Sequence, residues 1–169
     1  MRIRVAKHIG FCFGVRRAIE LAEKAAAIHG KVYTLGALIH NAAVVERLAG
    51  NGVITAETLA EIPEGAHVVI RSHGVPPETY AACETHKLII IDATCPFVRR
   101  IHEIALDEVR KGRHIMIVGD PFHPECIGIN GCCGGKAFFV RSLEDVLLVS
   151  QTEAVSLIAQ TTTSVALFE

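Results

Sequence analysis

The sequence GFCFGVRRAIELA (residues 10–22) places Cys12 directly before a segment with helical periodicity. The preceding residues, Arg2 to His8, have the alternation of a short β-strand. From Gly14 to about His29, apolar residues recur along one stripe, as in an amphipathic helix. Cys12 is therefore predicted to lie in the turn between a strand and a helix.

A cysteine in such a turn has two interpretations. The N-terminus of a helix carries partial positive charge and free N–H groups, which favour a thiolate that acts as a nucleophile, a redox group or a metal ligand. Arg16 and Arg17 would add to the positive potential. Alternatively, Cys12 is a buried cysteine that packs as a small hydrophobic residue. This segment alone does not distinguish the two.

Composition narrows the class of protein. The chain has 169 residues, six cysteines, nine histidines and a formal net charge of −1. This length suffices for one sizeable core or two small ones. With no long apolar run and no signal peptide, the sequence predicts a cytoplasmic protein that is not embedded in a membrane. The balanced charge argues against a nucleic-acid partner, and cysteines in a reducing compartment more often serve metals or catalysis than disulfides.

Short β-branched runs alternate with helical patterns along the chain. This alternation predicts an α/β fold with βαβ units and parallel sheets. The predicted strands lie at 31–35, 67–71, 88–92, 114–118, 137–141 and 154–159, and the further helices at 41–50, 76–86, 97–111 and 142–150.

The second cysteine-containing turn reveals an internal repeat. CPFVRRIHEIA, from Cys95, matches CFGVRRAIELA, from Cys12, at six of eleven positions without a gap. The same offset of 83 residues aligns LGALIHN with VGDPFHP, which pairs His40 with His123. Two copies of one strand–cysteine–helix–strand–glycine–histidine unit are therefore predicted.

The repeat predicts a shared centre. Ligands of open α/β sheets bind at the carboxyl ends of the strands, where the two cysteines and the two histidines fall. We therefore expect Cys12 and Cys95 to contribute to one metal or cluster site.

Three further motifs supply polar groups near predicted strand ends. RSHGVPP (71–77) carries His73, GDPFHPECIG (119–128) carries His123 and Glu125, and AQTTTS (159–164) carries hydroxyls. A carboxylate two residues from a histidine suits proton delivery beside an anion. Histidines, arginines and loop N–H groups together suit a phosphate-bearing ligand. Each motif also has a simpler explanation. His73 would be a solvated loop histidine, Glu125 would complement a helix dipole, and the threonines of AQTTTS would reflect ordinary β-propensity.

The remaining cysteines carry weaker signals. Cys83 lies within a helical stretch, where either packing or a surface position explains it. Cys126, Cys132 and Cys133 lack the paired spacing of a zinc ribbon or zinc finger.

Six motifs, taken in order, resemble the 4-hydroxy-3-methylbut-2-enyl diphosphate reductase family of the non-mevalonate isoprenoid pathway. They are GFCFGVRRAI, ALIHN, RSHGV, DATCP, HPECIGING and AQTTTS. The resemblance implies an oxidoreductase fold of three α/β units with small parallel sheets around a pseudo-threefold centre. It also implies a 4Fe–4S cluster held by one cysteine from each unit. The reaction implied is the two-electron reductive removal of the hydroxyl from an allylic diphosphate, which yields isopentenyl and dimethylallyl diphosphates. The implied electron donor is a ferredoxin or a flavodoxin.

Residue by residue, the resemblance implies roles for seven side chains. Two match cluster ligands: Cys12 and Cys95. Three match histidines that bind the diphosphate or lie near the substrate: His40, His73 and His123. Two match the proton-relaying acid and the threonine of the same hydroxyl network: Glu125 and Thr161.

The chain departs from the family in length. We expect a first unit at residues 1–94 and a second, incomplete unit at 95–169, whereas a third unit would begin at about residue 178. The family's third cysteine is therefore expected to be missing, so that the 169-residue chain is an inactive fragment. Uncovered apolar edges would then favour self-association. The alternatives are a non-catalytic diphosphate- or metal-binding module of the same fold, or a thiol redox protein, although no CxxC motif supports the latter.

Overall fold

Helices and short strands alternate along the whole part of the chain that the computed structural model describes, namely residues 3–7, 9–147 and 154–168. A short 3₁₀-helix spans Leu59–Glu61. The other elements are α1 (Phe13–His29), β1 (Val32–Leu35), α2 (Ala42–Gly50), β2 (Val53–Ala56), β3 (His67–Ile70), α3 (Pro77–Thr85), β4 (Ile89–Asp92), α4 (Pro96–Arg110), β5 (His114–Val118), α5 (Pro124–Cys132), β6 (Phe138–Val140), α6 (Leu143–Val146), β7 (Val155–Ala159) and α7 (Val165–Phe168).

The strands form two small parallel sheets, as the alternation predicts. The first has the strand order β2–β1–β3–β4 and the second the order β6–β5–β7. Parallel neighbours require crossover connections, which the helices supply. All carboxyl ends within one sheet consequently lie at the same edge.

The internal repeat is also a repeat of topology. The series α1–β1–α2–β2 recurs as α4–β5–α5–β6, with the central strands β1 and β5 each flanked on both sides. Gly36 and Gly119 directly follow these two central strands. Equivalent loops therefore leave the two sheets at equivalent positions.

Each sheet has its own apolar core. Ala18 and Ala22 of α1 are fully buried and pack with Val32 of β1 in the first core. Ile117 of β5 and Ile129 of α5 are fully buried in the second. The small alanine side chains allow α1 to approach its sheet closely. No described helix has both the length and the apolar character needed to cross a bilayer.

The strand predicted at Arg2–His8 is wrong for residues 3–7, which form no strand, while residues 2 and 8 lie outside the described part. A strand exists only with a hydrogen-bonded neighbour. The strand at the equivalent position of the repeat, β4, which precedes Cys95, pairs with β3. The N-terminal segment has no such neighbour among the described strands.

The sequence prediction missed β2, α5 and α7, as well as the short 3₁₀-helix. The sequence of α5, PECIGINGC, contains two glycines, which disfavour an isolated helix by about 1 kcal/mol each. Tertiary contact explains them: a Cβ at Gly131 would lie 2.4 Å from the Cβ of Pro76. The helix predicted at 142–150 is shorter, Leu143–Val146, and its residues 148–150 lie outside the described part.

Candidate functional site

A cavity of about 560 Å³ opens at the carboxyl ends of the strands of both sheets. All seven site residues predicted from the sequence line it: Cys12, His40, His73, Cys95, His123, Glu125 and Thr161. The structure therefore brings together groups that lie up to about 150 residues apart in the chain, as expected for strand-end residues.

The two cysteines of the repeat occupy equivalent positions. Cys12 is the N-cap of α1 and Cys95 is the N-cap of α4, and neither side chain makes a capping hydrogen bond. Cys12 is exposed and Cys95 is half-buried. The two turns are adjacent, because a Cβ at Gly14 would lie 2.7 Å from the Sγ of Cys95. Both thiols are thus available to a ligand held at the positive ends of two helices.

The other four cysteines belong to the packed interior. Cys83, Cys126, Cys132 and Cys133 are all buried, and none lines the cavity. Burial raises the pKa of Cys126 to about 12 and that of Cys133 to about 11. Such thiols remain protonated and packed, and for Cys83 this selects packing over surface exposure.

Three histidines from three different loops converge in the cavity. The ring centroids of His40 and His73 are 5.0 Å apart, those of His73 and His123 are 5.3 Å apart, and those of His40 and His123 are 6.0 Å apart. One ring nitrogen from each lies within 4.8 Å of those of the others. By distance alone, this cluster suits either a metal ion or the oxygens of one anion.

The hydrogen bonding of His123 favours an anion over a metal ion. His123 is the N-cap of α5, and its Nδ1 accepts a hydrogen bond of 3.2 Å from the backbone N–H of Glu125. A neutral imidazole whose Nδ1 accepts must carry its proton on Nε2. Nε2 is then a donor, which suits a phosphate oxygen and opposes a metal ion.

The surroundings of His73 change the pKa of its imidazole. Burial lowers its pKa to about 4, with smaller contributions from the positive fields of His40, His123 and Arg71. Its Nδ1 is buried without a hydrogen-bond partner among the described residues. At neutral pH His73 is therefore an uncharged group with unused hydrogen-bonding capacity, in a place that a bound anion would complete.

Glu125 and Thr161 form a hydrogen-bonded pair at the cavity wall. Glu125 is only 2% exposed. Its Oε1 accepts from the backbone N–H of Thr161 and its Oε2 accepts from the Thr161 hydroxyl, both at 2.7 Å. Glu125 lies in the first turn of α5, where a carboxylate can complement the helix dipole. Both of its oxygens nevertheless accept hydrogen bonds from Thr161. A buried carboxylate in contact with a cavity hydroxyl is suited to proton transfer.

Some cavity residues were not singled out from the sequence. Ser72 and Thr162 line the cavity beside His73 and Thr161. Gln160 is buried beneath them: its amide donates to the Thr162 hydroxyl at 2.7 Å, and its Oε1 accepts from the backbone N–H of Asp120 at 3.1 Å. Each lies within a quoted motif, RSHGVPP or AQTTTS, beside a residue that was singled out, and that placement is the signal that could have found them.

The imidazole of His102 packs between two segments that carry site residues. His102, on α4, has a buried Nε2 without a hydrogen-bond partner among the described residues. A Cβ at Gly74 would lie 2.7 Å from His102 Cε1, and a Cβ at Gly128 would lie 2.9 Å from His102 Nε2 and 3.7 Å from the carbonyl oxygen of His73. Two glycines thus make room for this ring between the His73 turn and α5, which carries Glu125.

A family model described as LytB protein matches residues 3–169. The chain belongs to the LytB family. Among curated relatives of this LytB chain, 4-hydroxy-3-methylbut-2-enyl diphosphate reductase of Alkaliphilus oremlandii is 44% identical over 170 residues, which cover 99% of the chain and 61% of the relative. The reductase of Aquifex aeolicus is 46% identical over 164 residues, with coverages of 95% and 56%.

Solved structures confirm the predicted α/β class. The structure of (E)-4-hydroxy-3-methyl-but-2-enyl diphosphate reductase, described as the terminal enzyme of the non-mevalonate pathway, matches with a TM-score of 0.86 at 45% identity and covers 98% of this chain. The Plasmodium falciparum reductase matches with a TM-score of 0.90 at 29% identity. The LytB chain covers 60% and 51% of these two structures. It therefore spans 51–61% of the length of these relatives.

Proposed function

We propose that this LytB chain carries the catalytic half-site of a reductase that converts 4-hydroxy-3-methylbut-2-enyl diphosphate to isopentenyl and dimethylallyl diphosphates. The observation that carries the proposal is the convergence of two N-cap thiols, three histidines and the Glu125–Thr161 pair on one cavity. The names of the relatives supply the reaction, and the side chains supply groups suited to each of its requirements. We place this activity in the cytoplasm, with a ferredoxin or flavodoxin as electron donor.

Cys12 and Cys95 are proposed to hold an iron–sulfur cluster of the 4Fe–4S type. Two unpartnered thiols on one cavity, each at a helix N-terminus, fit two of the ligand positions of such a cluster. Among the described residues, no third cysteine lines the cavity. When bound, the cluster supplies electrons to the substrate.

The histidines are proposed to bind the diphosphate. His123 presents its Nε2–H as a donor because Nδ1 is already engaged by the N-terminus of α5. His40 and His73 lie beside it at distances that one diphosphate group can bridge. Binding at these loops would fix the allylic end of the substrate on the side of the cavity that carries the cysteines and Glu125.

Glu125 is proposed to deliver protons. Loss of the hydroxyl consumes two electrons and two protons: one proton leaves with the hydroxyl as water, and the other ends on an allylic carbon. Glu125, which is buried and bonded to the cavity-facing Thr161, is the acid suited to this delivery. The Thr161 hydroxyl holds the carboxylate in place and offers an oxygen toward the substrate hydroxyl.

A second candidate rests on the incomplete ligand set. Only two of the six cysteines line the cavity, so the chain alone would bind the diphosphate without turnover. This candidate retains the histidine site and dispenses with stable iron.

Anaerobic reconstitution with iron and sulfide tests the cysteine assignment. We expect iron retained after desalting to fall severalfold in Cys12→Ser and in Cys95→Ser. The matched control is Cys83→Ser, which removes a buried thiol outside the cavity and should leave the retained iron unchanged. Equal iron in all three variants would contradict the cluster assignment and favour the non-catalytic module.

A further inference from the structure

Arg71 has a half-buried guanidinium with no counter-charge. Its Nε is buried without a hydrogen-bond partner, and its side chain forms no ion pair or hydrogen bond with any residue in the described ranges. A guanidinium carries five N–H donors and remains charged at all physiological pH values. Buried charges are normally paired, because an unpaired one loses its hydration without compensation. This arrangement therefore requires an explanation.

The position of Arg71 supplies one. The residue directly follows β3 and precedes His73 by two positions, and its positive charge acts on the His73 ring. Its Nη1 lies beside Gly36, where a Cβ would approach to 3.2 Å. Gly36 begins the loop that ends at His40. The guanidinium thus lies behind the two loops that bring His40 and His73 into the cavity.

The cavity itself lacks a permanent positive charge. Its lining contains no lysine and no arginine among the described residues, and its acidic member, Glu125, is bonded to Thr161. His73 is uncharged at neutral pH because burial depresses its pKa to about 4. A diphosphate carries two or more negative charges, and neutral donors alone would bind it weakly.

We propose that Arg71 is the permanent cation of the diphosphate site, left without a counter-charge by the protein so that the bound diphosphate provides it. This inference rests on the proposed function and adds a binding residue to it. Arg71 acts through its electrostatic field at the histidine cluster, from behind the two loops rather than from the cavity lining. The histidines provide directional hydrogen bonds, whereas Arg71 provides the charge that draws the anion into the cavity.

Isothermal titration calorimetry of the chain with inorganic pyrophosphate tests the proposal. Arg71→Met keeps the length of the side chain and removes the charge. We expect it to weaken pyrophosphate binding about tenfold, the scale of one unit charge acting over several ångströms near a protein surface. Arg71→Lys retains the charge and should recover part of the loss, although it lacks the planar fork. Arg113→Met is the matched control, because Arg113 is paired with Glu108 away from the cavity.

Thermal unfolding without pyrophosphate separates a binding role from a structural one. Removal of an unpaired buried charge should leave the midpoint of Arg71→Met unchanged or higher, because no stabilising partner is lost. A fall in the midpoint for both Arg71→Met and Arg71→Lys would assign the residue a structural role and overturn the proposal. Equal pyrophosphate affinity in wild type and Arg71→Met would overturn it while leaving the diphosphate site intact. If wild type fails to bind pyrophosphate, the diphosphate site and this inference fall together.

Discussion

The contact between Gly128 and His102 provides a test of how the two halves of the site are held together. An alanine Cβ at position 128 would lie 2.9 Å from Nε2 and 3.0 Å from Cε1 of His102. Ordinary contact distances are about 3.5–4.0 Å, so the ring or the helix has to move by roughly 0.5–1 Å. The obstacle is a buried imidazole between two chain segments rather than the free end of a flexible side chain.

The expected magnitude combines two opposing effects. Overpacking of a filled interior costs about 1–3 kcal/mol. Replacement of a glycine inside a helix by alanine contributes about 0.5–1 kcal/mol in the other direction. We therefore expect Gly128→Ala to lower the free energy of unfolding by about 1 kcal/mol, with an upper bound near 2.5 kcal/mol.

Urea unfolding at constant m-value measures this change. Gly50→Ala is the matched control, because Gly50 also lies in a helix but has no atom within 4 Å of an added Cβ. It should be neutral or stabilising. In a double-mutant cycle, His102→Ala should remove the clash, so that Gly128→Ala costs less in that background. If Gly128→Ala is as stabilising as Gly50→Ala, the tight packing of His102 between the two segments is refuted.

Three further predictions concern the cavity. In enzyme preparations that turn over, Glu125→Gln should lower turnover by about 10²-fold or more while pyrophosphate binding is retained. The reason is that the amide can keep both hydrogen bonds to the neighbouring threonine but holds no transferable proton. Near-normal turnover would count against the acid role. The pKa of His73 is about 4 in the folded protein and about 6.5 in the unfolded chain, so the unfolded chain binds more protons between these two pH values. The free energy of unfolding should therefore fall as the pH decreases from about 6.5 to 4. His73→Gln should flatten that decline. Iodoacetamide at neutral pH should modify the exposed Cys12, whereas Cys126 and Cys133 should stay unmodified until urea is added. Peptide mass spectrometry measures the modification of each cysteine. Rapid labelling of Cys126 and Cys133 in the native protein would contradict their buried position.

The local pattern of the sequence determined most of the strands and the repeat. Apolar β-branched runs are legible without a structure because a parallel strand buried on both faces is apolar along its length. The offset between Cys12 and Cys95 likewise predicted equivalent turns, and the structure places both at helix N-caps. Site residues that follow strands were predictable as a group, since carboxyl ends of parallel strands share an edge.

Tertiary contacts decided the features that local pattern misrepresents. Residues 3–7 have the alternation of a strand but lack a neighbour to pair with among the described strands. By contrast, α5 is a helix despite its glycines because those glycines admit Pro76 and His102. The donor state of His123 depends on a helix N-terminus that closes on its ring. Arg71 likewise lacks a partner among the described residues because of its place beside the loop that starts at Gly36. A sequence pattern reports what each segment prefers, whereas a polar group's final partners depend on segments distant in the chain.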